Sequence, residues 1–252
     1  WGFAHGTGLP EMDYFFADPV AIPPEEREHY AEKIWELPCI VTYHPPTEYA
    51  LKESSPLPYY TKGYLTLASS ARYEKLSDEC LQTFGAILRT IPKAKLLFKD
   101  HGFRRPYAIR RILTAMPDID PGRFLFAIAT THPEHLQSYQ TADLILDPFP
   151  HTGGVVGLEQ LYMGVPIVTL YGSHAGARTT SSILTAMGKT AWIAKTPAQY
   201  VEIAAALTAD LPALAGVRKT LRQDLVASPV CAGYVEAVEM AYRGMLARWA
   251  ER

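Results

Sequence analysis

At 252 residues, 48% hydrophobic and 11% aromatic, the chain can bury a sizeable core, as one large domain or one domain with an appendage. A formal net charge of -2, with acids and bases interspersed, offers no stripe for a polyanion and argues against a nucleic-acid partner. No run of about eighteen apolar residues argues for a membrane span, and the dispersed Cys39, Cys80 and Cys231 form neither a disulfide framework nor a zinc spacing, so a reducing, cytoplasmic setting is expected.

Residues 1 to 24 read as a loop-like connector broken by glycines and prolines, with one short apolar strand at Tyr14 to Phe16. Its start, Trp1-Gly2-Phe3-Ala4-His5, has neither an initiator Met nor a signal-peptide pattern and reads as the continuation of a longer chain. Pro24 followed by Glu25 and Glu26 predicts a helix through Trp35, with acids complementing the dipole of its first turn. Pro38, Pro45, Pro46, Pro56 and Pro58 then predict an extended crossing segment. Residues 1–62 are accordingly expected to form the connector, and residues 63–252 a regular domain.

From Gly63 onward, strands and helices alternate. Strands are predicted at Tyr64 to Ala68, Lys95 to Phe98, Phe124 to Ile128, Leu144 to Leu146, Ile167 to Leu170 and Trp192 to Ala194. Helices are predicted from Ser77 to Leu88, Arg104 to Met116, Pro133 to Thr141, Gly157 to Met163, Ala177 to Met187 and Pro197 to Leu207. Terminal helices follow over Leu211 to Val226 and Ala232 to Arg248. This spacing predicts an α/β fold with a doubly wound parallel sheet, Rossmann-like, that binds its ligand at the carboxyl ends of the strands.

The stretch from Ala142 to Thr169 reads as strand, glycine loop, helix and strand. Gly153, Gly154 and Gly157 let the backbone turn sharply and approach a ligand, and the following helix presents unpaired N–H groups and a partial positive charge to an anion. An ordinary strand-to-helix turn would carry the same glycines. What favours a site is convergence: the predicted strand ends also carry Ser69, Ser70, Arg72, Lys75, Thr130, Thr131, His132, His135, Asp147, His151, Glu159, Ser173, His174 and Arg178. A lysine beside a glycine cradle can neutralise a pyrophosphate, a histidine can meet a base, and a carboxylate one turn into the helix can grip ribose hydroxyls. Taken singly, Lys75 could be a solvated helix-entry charge, His135 a surface histidine and Glu159 an ordinary first-turn acid.

These residues carry a family resemblance. Gly6-Thr7-Gly8 with Met12-Asp13-Tyr14, Lys75 opening a helix, Glu134-His135 before Ala142-Asp143, the Asp147 to Gly157 loop, Gly164-Val165-Pro166-Ile167-Val168-Thr169, and Gly172 with Ala177-Arg178 together resemble the protein O-GlcNAc transferase family, which includes the plant Spindly type. The resemblance implies the nucleotide-sugar-binding half of a GT-B glycosyltransferase. It implies Lys75 as the catalytic group at the diphosphate, with Arg72 and the Gly153, Gly154, Val155 and Val156 backbone beside it. His135 would pack on the uracil with His132 nearby, and Glu159 would stand where the family has a ribose-binding aspartate. The implied reaction is inverting transfer of a sugar, first N-acetylglucosamine from UDP-GlcNAc, to Ser/Thr hydroxyls of protein, with no cofactor and no metal beyond the donor substrate. The implied partners are a protein acceptor, an amino-terminal catalytic half and helical repeats upstream.

The departures are as specific. Gly153-Gly154-Val155-Val156-Gly157 stands where the animal enzyme has Gly-His-Thr-Thr-Gly, leaving backbone N–H groups in place of hydroxyls. Gln137 and Ser138 lie where the family has an arginine. Asp118-Ile119-Asp120 matches the acidic triplet of metal-dependent glycosyltransferases but precedes Pro121-Gly122 in a predicted turn, so no metal role is expected. A general base is expected on the amino-terminal half or on the substrate; His5 is the only amino-terminal candidate in the connector, where a solvated loop histidine is the stronger reading. Two alternatives remain: a non-catalytic nucleotide-sugar or protein-binding module, and a GT-B enzyme with a non-protein acceptor.

Overall fold

The computed structural model describes residues 5–49, 54–128 and 130–251. Short apolar runs closed by glycine, proline or a polar residue become strands: β1 (Tyr14–Ala17), β2 (Lys33–Glu36), β3 (Thr66–Ser69), β4 (Lys95–Lys99), β5 (Phe124–Ala127), β6 (Leu144–Leu146), β7 (Ile167–Leu170) and β8 (Ile193–Ala194). Between and after them run α1 (Tyr59–Lys62), α2 (Asp78–Thr90), α3 (Pro106–Ala115), α4 (His132–Tyr139), α5 (Val155–Tyr162), α6 (Thr179–Ala186), α7 (Pro197–Ala209), α8 (Leu211–Ala227) and α9 (Tyr234–Ala250).

The main sheet is parallel, in the order β5-β4-β3-β6-β7-β8. Counted from β3 this is 3-2-1-4-5-6, the doubly wound order, and the winding reverses between β3 and β6. Adjacent strand residues feed opposite layers. Leu67, Leu144, Leu146 and Val168 join Phe84, Phe98 and Tyr200 on one side, while Ala68, Ile145 and Ile167 join Leu158, Leu161 and Leu221 on the other. Both faces are apolar because helices cover both, which is why the strands read as continuous hydrophobic runs.

Polar ties fix these layers where the site needs them. The Tyr200 hydroxyl of α7, fully buried, lies 3.0 Å from the Asp147 carbonyl and 2.9 Å from the Val168 carbonyl, joining the ends of β6 and β7. Arg218 of α8, 1% exposed, donates to the carbonyls of Ser55 and Ala142, each at 2.8 Å. Removing such a group would strand buried carbonyls.

The amino-terminal region departs from the sequence expectation. The helix predicted from Pro24 to Trp35 is a short 3-10 turn at Pro24–His29, followed by strand β2, which pairs in parallel with β1. Glu26 is drawn to Arg178 rather than to a helix terminus, with guanidinium-carboxylate contacts of 2.7 and 2.5 Å. Trp35 is meanwhile pinned against α9, where Arg248 lies 4.6 Å from its ring and a Cβ at Gly244 would come within 2.6 Å of it. Smaller shifts occur downstream: α5 starts at Val155 rather than Gly157, and α6 at Thr179 after a 3-10 turn at Ala175–Ala177. Among the described residues no single helix is long and apolar enough to cross a membrane.

Candidate functional site

The crevice at the winding reversal holds a cavity of about 260 Å³, lined by Ser70, Arg72 and Lys75 after β3, by Asp147 and Pro148 after β6, and by Gly153, Gly154, Val155, Val156 and Gln160. Gly154 is the N-cap of α5 and no side chain caps that end, so the helix turns its amino terminus to the cavity. Lys75 closes a 3-10 turn at Tyr73–Lys75, and its Nζ donates to the Thr152 carbonyl at 3.3 Å. Burial pushes the ammonium below its ordinary pKa; the attraction of Asp147 opposes this, and Arg72 adds to it. Ammonium, guanidinium and helix amino end together give the cavity a positively polarised lining.

Asp147 organises this arrangement. Its Oδ1 accepts the Gly153 N–H at 2.9 Å and its Oδ2 accepts the Thr169 hydroxyl at 2.7 Å. Burial holds the carboxyl up at about 6, against the pull of those hydrogen bonds and of Lys75. The far side of the loop is held by Thr180, whose hydroxyl donates to the Gly153 carbonyl at 3.1 Å.

A second cluster lies along α4 and α5. His132 Nε2 lies 2.7 Å from Oε1 of the buried Glu159, and its Nδ1 lies 2.6 Å from the Tyr49 hydroxyl. Because a carboxylate only accepts, the ring donates to Glu159 from Nε2. His135 Nε2 is 4.0 Å from the other carboxylate oxygen and 2.6 Å from the Tyr139 hydroxyl. Burial pushes His135 down to about 4, with Lys99 and His132 adding to the effect. The nearly buried Lys99 donates to Ser138 Oγ at 2.6 Å, so a cation occupies the neighbourhood where the sequence lacks the family's arginine.

The predicted residues therefore fall into two adjoining groups. Arg72, Lys75, Gly153, Gly154, Val155 and Val156 line the cavity; His132 is hydrogen-bonded to Glu159, which shares α5 with the valines, and His135 stands 4.0 Å from the same carboxylate. The acidic triplet is engaged elsewhere: Asp118 pairs with Arg89, and Asp120 caps the turn at Pro121–Arg123. Tyr49 and Lys99 were not foreseen. Tyr49 lies in a proline-rich crossing segment with no local signal, and Lys99 ends a strand whose pattern announces only burial.

The sequence profile of glycosyl transferase family 41 matches residues 68–238. The probable UDP-N-acetylglucosamine–peptide N-acetylglucosaminyltransferase SPINDLY of Petunia hybrida is 32% identical over 99% of this chain, and its Arabidopsis thaliana counterpart 33% over 97%. The chain spans 27% of the length of each. A mutant of Thermobaculum terrenum O-GlcNAc transferase superposes with a TM-score of 0.85 at 29% identity, covering 96% of this chain and 46% of that one. WaaG, a glycosyltransferase of lipopolysaccharide biosynthesis, shares the fold alone, with a TM-score of 0.57 at 15% identity, over 90% of this chain and 61% of its own. With a doubly wound sheet that superposes on GT-B glycosyltransferases and a family profile that runs across its whole crevice, the chain belongs to glycosyl transferase family 41.

Proposed function

We propose that this chain is the donor-binding part of a nucleotide-sugar-dependent glycosyltransferase that modifies Ser/Thr hydroxyls of protein with inversion at the sugar, UDP-GlcNAc being the first donor to test. The observation that carries this reading is the meeting of Lys75, Arg72 and the amino end of α5 around one cavity at the winding reversal. As the sugar departs, negative charge grows on the diphosphate. Donors fixed before the reaction stabilise that charge without reorganising, so they lower the barrier more than they tighten ground-state binding.

In this reading the diphosphate lies over Gly153 and Gly154 with Lys75 at its terminal phosphate, and the nucleoside runs toward His135 and Glu159. Charge neutralisation falls to side chains and backbone amides, with no further cofactor. The acceptor is held largely by parts outside this chain, for which the relatives' much greater length leaves room. The experiment is transfer to a Ser/Thr peptide by the natural protein, offered a panel of UDP- and GDP-sugars. Turnover with one of them supports the reading. The chemistry of Val155 and Val156, which offer no hydroxyl to a phosphate, favours one rival, a module that binds nucleotide without transfer. That rival predicts nucleotide binding with no turnover on any donor.

A further inference from the structure

A groove of about 560 Å³ shares Arg72 and Lys75 with the crevice cavity and is lined further by Glu74, Arg111 and His151. A second groove, of about 570 Å³, lies between α2 and α3, where Asp78, Tyr107, Arg110 and Arg111 line it. Arg111 belongs to both grooves. The crevice and the two grooves therefore follow one another, with a shared residue at each junction.

Charge along this track is lopsided. The whole chain carries a formal charge of -2, yet Arg104, Arg105, Arg110 and Arg111 stand within residues 104–111 with no acid among them. Arg111 is spent on structure: its Nη2 donates to the Leu76 carbonyl at 2.6 Å and to Asp78 at 2.8 Å, which offsets that carboxylate. Arg105 donates to the Tyr107 hydroxyl at 2.9 Å, and the same hydroxyl lies 3.0 Å from that of Tyr73, so the exposed Tyr107 ring is held on the groove wall. Arg72 and Arg110 are exposed, and among the described residues their guanidinium groups have neither a hydrogen bond nor an ion pair. Glu74 is the unspent acid on the two linings. Exposed cations left out of ion pairs project a field that draws an anionic partner in.

We propose that this track docks an acidic flank of the acceptor, an extended stretch of protein with Asp or Glu residues to one side of the Ser or Thr that is modified. The inference rests on the transfer reading above and adds what selects the acceptor. With the Ser or Thr at the crevice end, near Lys75 and Arg72, its neighbours run past His151 and Arg111 toward Arg110 and Tyr107. An extended chain advances about 3.3 Å per residue, so two grooves in series meet several residues. Cations dispersed along them suit carboxylates set at intervals better than a single phosphate. Guanidinium forks pair with carboxylates through two parallel hydrogen bonds, and the Tyr107 ring gives the intervening side chains an apolar wall. A nucleic acid fits less well, because its charge is far denser than two unpaired guanidinium groups can match and the rest of the chain is acidic.

The test uses the natural protein, the sugar donor it turns over and three peptides identical except for Glu, Gln or Lys at the positions flanking one Ser. From the Glu to the Gln peptide kcat/KM is expected to fall about tenfold, and further to the Lys peptide, chiefly through KM and less so as salt rises. Arg110→Gln should abolish this order and Arg110→Glu should reverse it, while donor Kd, set in a cavity that Arg110 does not line, stays as in the wild type. Equal kcat/KM for the three peptides, or an order that survives Arg110→Glu, would overturn the proposal and leave the donor reading intact. Fluorescence anisotropy of the same peptides without donor reads the groove by itself. A protein that turns over no donor yet binds the Glu peptide through Arg110 would sink the transfer reading and keep the docking site. Tighter binding of a single-stranded oligonucleotide than of the Glu peptide would overturn the choice of partner.

Discussion

Asp147 accepts the N–H of Gly153 at 2.9 Å, and a Cβ added to Gly153 would lie 3.1 Å from the same carboxylate oxygen. The loop is therefore held by its backbone against a group that cannot retreat, because Thr169 fixes the other oxygen. Gly153→Ala is expected to push the amide off its carboxylate and move the amino end of α5. Nucleoside diphosphate affinity should fall about tenfold, the cost of roughly one charge-assisted hydrogen bond. Isothermal titration of both proteins checks this; equal affinities would mean that the loop does not form the cradle.

The same carboxyl predicts a pH effect on stability. Burial holds Asp147 at about 6 in the folded protein, above the ~3.9 of an unfolded chain. The folded state binds this proton more tightly, so the contribution is fully present below about pH 4 and is lost as pH rises through about 6, a change of about 3 kcal/mol. Asn at this position can still accept from Gly153 and donate to Thr169. Urea unfolding at pH 5 and pH 7.5 should therefore show that Asp147→Asn gains on the wild type as pH rises; a constant difference would refute the assignment.

His135 has the opposite sign. Its folded value of about 4 lies below the ~6.5 of a free imidazole. Its contribution is present above that unfolded value and lost as pH falls toward about 4. A His135→Gln variant should thus be less sensitive than the wild type to acidification between those limits, again by urea unfolding. An unchanged slope would mean that the imidazole is not held neutral.

Lys75→Ala is expected to leave the fold intact while lowering turnover of the natural protein about a hundredfold, the scale for one preorganised donor at a developing charge. Its hydrogen bond to the Thr152 carbonyl, at 3.3 Å, is long, and burial already disfavours its charge, so little stability depends on it. Circular dichroism and steady-state kinetics separate the two effects. Equal turnover would remove Lys75 from the reaction.

Glu159 is held at one oxygen by His132, which in turn is held by Tyr49, and its second oxygen lies 4.0 Å from His135 Nε2. Glu159→Ala should weaken ribonucleotide binding about tenfold while sparing the 2′-deoxy analogue, since only the former offers the full set of ribose hydroxyls. Paired titrations with UDP and dUDP read this difference. Equal losses for both would assign Glu159 a structural role only.

Much of this was legible in the chain because buried parallel strands are short apolar runs with clear punctuation. Leu144–Leu146 and Ile167–Leu170 fall where the sequence puts them, and the glycines after Asp147 mark the turn into α5. What failed was chemistry completed from far away. The acids after Pro24 look like a helix start, but Glu26 pairs with Arg178, 152 residues on, and the segment is shaped by that partner. Tyr49 meets His132 across 83 residues. A local window holds none of these pairings.

The central claim, a diphosphate site built by Lys75 and the glycine loop, is tested most directly by calorimetric titration of UDP and GDP into residues 1–252, wild type and Lys75→Ala side by side. The account predicts weak but measurable binding of a nucleoside diphosphate by the wild type and a loss of at least about tenfold in the variant, as expected when one charged partner of a phosphate is removed. Binding of neither nucleotide, or equal affinity in both proteins, would contradict it.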